Sequence, residues 1–229
     1  MKKPVLSGRE AVLKKVRAAL GVTQGDVVRR AAVEDRIALT PLGVMPARGQ
    51  LPLVERTELF VKMAQTLAAT VDRVTKPEDV PRAIVEYLRQ RNLPAAVRMG
   101  DDRRLQRMPW SRHRALEVRT GRADPDDEVG VSHALRAIAE TGTVVLESGP
   151  ANPTTVNFLP EHHIVVVDVE DIAGDMEAVF AKVRKKHGKG RMPRVVNLIS
   201  GPSRSGDVEQ KIVLGAHGPR ALHLIVVGG

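Results

Sequence analysis

The sequence predicts an α/β protein with three α/β/α layers around a largely parallel sheet. Three observations carry this. In the second half of the chain, strand-length apolar runs alternate with helix-length segments, the pattern of strand–helix–strand units. Runs such as Ile164–Val169 and Leu222–Val227 are near-continuous and β-branched rather than alternating, so both faces of the sheet should be covered. With 229 residues, 42% of them hydrophobic and 28% charged, the chain is long and apolar enough to bury a substantial core.

The elements follow in order. Ser7-Gly-Arg-Glu10 is a capping-box pattern that opens a helix running to Leu20, with Gly21 placed to end it. Asp26–Val33 reads as a second helical piece. Thr40–Leu53 holds Pro41, Pro46 and Pro52 and is expected to be extended or irregular. Residues 1–54 are therefore read as a helical arm and extended linker that could pack on a neighbouring subunit, and residues 55–229 as the α/β domain. Glu55–Val74 reads as one helix, because Leu59, Met63, Leu67 and Val71 fall at four-residue steps beside the row Phe60, Ala64, Ala68. Thr75–Glu78 is a second capping box, leading a helix whose apolar face holds Val80, Ile84 and Leu88 and which Asn92 and Pro94 end. Ala95–Met99 and Leu116–Thr120 read as short strands flanking a basic loop, and Asp124–Glu128 as an acidic turn.

Beyond them the reading is a helix Ser132–Thr141 closed by Gly142, strand Thr143–Glu147, a Gly/Pro/Asn loop and strand Ile164–Val169. Helix Glu170–His187 follows, with Ile172, Met176, Val179, Phe180 and Val183 on one face. Strand Val195–Ser200, a polar loop, helix Asp207–Leu214 and strand Leu222–Val227 complete the chain.

Composition excludes whole classes of chemistry. There is no cysteine, hence no disulfide, thiol nucleophile, thiolate zinc site or cysteine-ligated iron–sulfur cluster. No apolar run approaches the roughly 18 residues of a membrane span, and Met1–Gly21 lacks the apolar centre of a signal peptide, so a cytoplasmic location is expected. The net charge of +9 is localised. Arg98–Arg114 and Lys182–Arg194 hold thirteen of the 36 basic residues and two of the 27 acidic ones, so the rest is close to neutral. The second segment suits the last turns of a helix, where the helix dipole favours cations. Nucleic-acid binding is disfavoured, because one Trp, one Tyr and three Phe offer few stacking platforms.

Three segments could carry chemistry. In Gly201-Pro202-Ser203-Arg204-Ser205-Gly206-Asp207 a strand ends in a Gly/Ser loop that is expected to open a helix. Helix N-terminal N–H groups, two hydroxyls and a bidentate guanidinium would together receive a carboxylate or phosphate. In Glu140-Thr141-Gly142-Thr143 a carboxylate and two hydroxyls flank a helix-ending glycine, and Glu140 could act as a base if partly buried. His217, followed by Gly218, could transfer or share a proton. His162-His163, taken with His217 and Asp207, matches no standard zinc spacing, so no metal is expected.

The same residues carry a likeness. Gly130–Val145 (GVSHALRAIAETGTVV), Leu159-Pro-Glu-His-His-Ile164, Leu198–Val213 (LISGPSRSGDVEQKIV) and Leu214–Leu222 (LGAHGPRAL) resemble the lactate utilisation protein C family, the LUD-domain proteins. Ser205 and Gly206 stand where threonine and alanine are common in that family. The resemblance implies a fold similar to the ribose-phosphate isomerase and CoA-transferase group. It also implies a part in oxidising L-lactate to pyruvate as one of three proteins acting together, with redox cofactors, iron–sulfur clusters included, on sister proteins and none in this chain. It assigns no catalytic residue. Glu140, Glu209 and His217 remain catalytic candidates. Thr141, Gly142, Thr143, Gly201, Pro202, Ser203, Arg204, Ser205, Asp207, His217 and Gly218 remain ligand-binding candidates. The alternative is a stand-alone acyl- or CoA-transferring, or anion-binding, enzyme of the same fold group, with Glu140 or Glu209 as base or nucleophile.

Overall fold

A computed structural model describes residues 7–23, 25–188, 190–206 and 212–228. They form two compact units, residues 1–43 and 44–229.

The first unit holds α1 (Gly8–Leu20) and α2 (Val27–Leu39). The predicted capping box forms in full: the Ser7 hydroxyl accepts from the Glu10 backbone N–H at 3.3 Å, and the Ser7 N–H donates to the Glu10 carboxylate at 2.9 Å. These bonds satisfy donors that a helix start leaves open, and hydrogen bonding from Ser7 lowers the Glu10 pKa. Gly21, at φ +63°, ends α1 as expected. The Asp26 carboxylate caps α2 by accepting from the Arg29 N–H at 3.0 Å, and α2 runs six residues past the expected Val33.

In the second unit, α3 (Leu53–Thr66) is shorter than the apolar rows suggest. Ala68 sits in the left-handed region at φ +64°, and Thr70–Val74 is a strand, β1. The helix reading of 71–74 is therefore corrected. The β-branched residues of that stretch pair in parallel with the C-terminal strand, and sheet pairing outweighs the four-residue apolar spacing. The next helix, α4 (Val80–Gln90), buries the predicted Val80, Ile84 and Leu88 together with Tyr87. Its expected capping box is absent, since Pro77 opens a 3-10 turn and no side chain caps this end. Strands β2 (Ala96–Met99) and β3 (Glu117–Thr120) flank a basic stretch containing the short helix α5 (Arg103–Gln106).

The main departure lies at 132–141. The expected helix is instead β4 (Val129–His133), β5 (Arg136–Ile138) and a 3-10 turn at 139–141. All five residues of β4 are buried because it runs between β2 and β7, and a strand covered on both faces loses the alternation that would distinguish it from a buried helix. Gly142, at φ +61°, does end the turn. Then come β6 (Thr143–Glu147), helix α6 (Thr154–Phe158), β7 (His162–Asp168), β8 (Ile172–Ala173) and α7 (Met176–His187). The start of α7 is set six residues later than expected by the Asp175 carboxylate, which accepts from the Ala178 N–H at 2.8 Å. Its last turn carries Arg184, Lys185, Lys186 and His187, as the dipole favours. After β9 (Val196–Ile199), the predicted helix 207–214 is replaced where it is described: β10 (Arg204–Gly206) and β11 (Ile212–Leu214) form an antiparallel hairpin. Strand β12 (Ala221–Val227) closes the main sheet.

That sheet has six strands, all parallel, in the order β1-β12-β7-β4-β2-β3. One face packs on α4 through Val97, Val131, Ile164, Val166 and Ile225. The other packs on α3 and a smaller mixed sheet (β8-β5-β6-β9) through Val165, Val167, Leu224 and Phe60. The smaller sheet is covered in turn by Val179 of α7. A mostly parallel central sheet flanked by helices is the α/β arrangement expected; the second sheet was not foreseen. No helix among the described residues is long and apolar enough to cross a membrane.

Candidate functional site

In β7, alternation sends neighbouring residues to opposite faces. His162 meets the Tyr87 hydroxyl at 2.8 Å, on the α4 side. His163 faces the other way, with Gly130 beside it in register on β4. The two histidines therefore cannot act as a ligand pair. Gly130 decides what lies over this face. A Cβ there would overlap the Val156 carbonyl of α6, so only glycine lets the α6 backbone lie directly on β4. That approach brings Asn157 over Ser132, two residues along the strand from Gly130. The Ser132 hydroxyl donates to Asn157 Oδ1 at 3.0 Å, and His163 Nε2 meets the same hydroxyl at 3.0 Å. All three side chains are buried.

His163 and Asn157 form part of the wall of a cavity of about 280 Å³, between the amino ends of β7 and β12 and the carboxyl end of β9. Gly201, Pro202, Ser203, Arg204, His217 and Gly218 also line it, as do Phe158, Ser200 and Leu222. Six predicted site residues, from two separate segments of the chain, thus meet at one opening. Two backbone bonds join the segments: Ser203 N–H donates to the Pro219 carbonyl at 2.8 Å, and Gly215 N–H to the Ser203 carbonyl at 3.0 Å. Gly201, at φ +81°, presses on the Leu67 carbonyl, where a Cβ would overlap. Arg204 donates to the same carbonyl at 3.3 Å. Both anchor the loop to the end of α3.

The remaining candidates fall elsewhere. Ser205 lies on β10 and does not line the cavity. Arg204–Gly206 pairs with Ile212–Leu214, so the last residues of the predicted helix are strand, while its expected N-terminus, from Asp207 on, lies outside the described residues. Asp207 and Glu209 lie outside the described residues. Thr141 and Thr143 do not line the cavity, but the Thr143 hydroxyl bonds to that of Thr141 at 2.7 Å and to that of Ser200 at 2.6 Å, and Ser200 is a wall residue. Gly142 packs against the backbone of Ala64. Glu140 is buried away from the cavity, 3.8 Å from Arg48. Among the described residues no group of three or more acidic or histidine side chains could hold a metal.

The carboxyl ends of the main strands, where open parallel sheets commonly bind ligands, hold paired polar and charged side chains. His133 lies 3.3 Å from Asp168, Arg104 bonds Asp102 at 3.1 Å, and Asp171 pairs with Arg136. Ser132 and Asn157 were missed by the sequence reading, which weighed His163 only as part of a metal site. The available signal was a polar residue inside an otherwise apolar buried strand, which needs a hydrogen-bond partner. For Ser132 the helix reading hid it, and Asn157 had no local signal.

Burial pushes the His163 pKa down to about 3. Burial also drives His223 to about 4, against the pull of Asp72. In the unfolded chain both titrate near 6.5. The unfolded state therefore binds more protons between those values, and stability is complete above about pH 6.5 and declines as pH falls. Urea midpoints measured from pH 7.5 to 4.5 should fall accordingly. His163→Phe should flatten the decline by up to roughly 1.4 kcal/mol per pH unit, and an unchanged slope would remove His163 from this account.

Residues 57–227 match the LUD domain family. Lactate utilization protein C of Shouchella clausii (strain KSM-K16) is 36% identical over 100 residues, 44% of each chain. The protein of the same name from Bacillus pumilus (strain SAFR-032) is 25% identical over 243 residues, 98% of each. Uncharacterized protein YkgG of Escherichia coli (strain K12) is 28% identical over 190 residues, 77% of this chain and 82% of its own. The match to the Shouchella protein thus spans less than half of that relative's length. A DUF162 family protein from Deinococcus radiodurans, solved by crystallography, shares the fold at a TM-score of 0.55 and 22% identity, covering 78% of this chain and 99% of that one.

Proposed function

Because the chain belongs to the LUD domain family, we propose that it is a component of a cytoplasmic L-lactate utilisation system and binds a small anion in the cavity between its sheets. The observation that carries the binding site is the meeting of Gly201–Arg204 and His217–Gly218 at one opening. Its guanidinium, hydroxyl and imidazole suit a carboxylate. The name shared by the Shouchella and Bacillus relatives supports the pathway. Converting L-lactate to pyruvate removes two electrons. A chain without cysteine holds no cysteine-ligated cluster, so the electrons would leave through a partner protein carrying iron–sulfur clusters. This chain is then the cluster-free subunit, which binds rather than transfers electrons.

The acyl-transfer alternative needs a carboxylate at the cavity. No described carboxylate lines it, and Glu140 faces Arg48. Turnover of an acyl-CoA by the purified chain alone would reinstate that alternative.

Deleting the gene should abolish growth on L-lactate while leaving growth on glucose intact, and normal growth on lactate would refute the pathway role. At residue level, Arg204→Ala should weaken calorimetric binding of L-lactate by about 10-fold or more, the usual scale for a hydrogen bond to a charged group. Unchanged affinity would remove Arg204 from the site.

A further inference from the structure

Two residues that line the cavity each carry a buried polar atom with no partner among the described residues, His163 Nδ1 and Asn157 Nδ2. Both belong to side chains that are at most 1% exposed, and both residues line the cavity. An unpaired buried polar group costs about 1–3 kcal/mol, so two of them beside one opening mark a place prepared for something else.

Their hydrogen-bonding roles follow from Ser132, which sits between them. The Ser132 hydroxyl has one proton, given to Asn157 Oδ1. His163 Nε2 must then supply the proton of its own bond to Ser132. In a neutral imidazole that leaves Nδ1 a bare acceptor, while Asn157 keeps its N–H donors. If the amide is turned round, Asn157 donates to Ser132, Ser132 donates to His163, and Nδ1 carries the proton while Asn157 offers its oxygen. The roles exchange, yet the pair still presents one donor and one acceptor. Burial keeps His163 neutral at physiological pH, so it brings no charge to this wall.

From this geometry we infer that His163 and Asn157 recognise a hydroxyl group on the anion held by Arg204, so that the cavity selects hydroxy acids over the corresponding oxo and deoxy acids. A hydroxyl both donates and accepts, and it can satisfy both atoms. A carbonyl only accepts, leaving one wall atom facing a lone pair or nothing. A methylene satisfies neither and leaves both unpaired. Sites built to pair a ligand hydroxyl reject the analogue lacking it far more strongly than apolar pockets reject a size change. The selection makes this chain a binder of the reduced acid, which releases the oxidised one. It rests on the anion reading above and adds to it the other end of the ligand.

The test is a ligand series on the full chain by isothermal calorimetry, with L-lactate, pyruvate and propionate as probes. L-lactate should bind at least about 10-fold more tightly than either analogue, the scale of one net hydrogen bond or more. Asn157→Leu should bring the three affinities within about twofold of each other, and Arg204→Ala should weaken all three alike. If Asn157→Leu does not fold, the wild-type ranking alone decides. Equal wild-type affinities, with Arg204→Ala still weakening all three, overturn the hydroxyl recognition and leave the anion site standing. A preserved ranking that Arg204→Ala does not shift supports the hydroxyl pair and overturns the anion site. Absence of binding by all three at millimolar concentration overturns both.

Discussion

Replacing Gly130 with valine should destabilise the protein by on the order of 3 kcal/mol, the upper end of the cost of overpacking a core, and should abolish binding in the cavity. The new side chain would meet the Val156 carbonyl and the Pro160 ring. The first is backbone and cannot rotate away. The fold can only lift α6 off β4, and Asn157 goes with it. Once that side chain moves, Ser132 loses the acceptor for its proton and the His163–Ser132–Asn157 chain is broken. Thermal unfolding followed by circular dichroism, together with calorimetry on L-lactate, checks both effects. A wild-type melting temperature would show that α6 does not rest on the strand as described. Gly130→Ala should show the same effects in reduced form.

Phe60→Ala should cost about 3–5 kcal/mol, the range for emptying a buried aromatic site. Phe60 is fully buried on α3, in the cluster that joins the main sheet to β5 and β6 of the smaller one. Its loss leaves a void where the helix and both sheets converge. For a domain of this size the melting temperature should fall by roughly 6–20 °C. A drop of under about 2 °C would mean that the layers repack around the smaller residue. The cavity lies at the amino ends of β7 and β12, so binding of the surviving folded fraction should be little changed. Comparison with Gly130→Val thereby separates general stability from the integrity of the site.

Much of this was legible in the chain. Thr143–Glu147 stands as a strand with its expected bounds, and β2, β3, β7, β9 and β12 lie within a residue or two of their expected ends. Their β-branched runs are bounded by Gly, Pro and Asn, and local preference agrees with the final pairing. The Gly-Pro-Ser-Arg loop and the His217-Gly218 turn were legible as site candidates because glycines, hydroxyls and an arginine gathered at a strand end have a recognisable chemistry. Three of the departures share one cause. At 71–74, 132–138 and 212–214, apolar spacing fits a helix and a strand equally well, and the strand prevails because a partner strand lies beside it.

Composition and local pattern suffice for the α/β class, the absence of thiol and cysteine-ligated cluster chemistry, and the loop and turn that line the cavity. Tertiary packing places these two segments at one opening, sets the cavity at the amino ends of β7 and β12, and puts a buried asparagine and histidine, joined through Ser132, in its wall. Local segments encode their own backbone preferences and exposed donors. Which buried polar groups are left without a partner depends on every strand and helix packed around them, and that is settled only when the layers close.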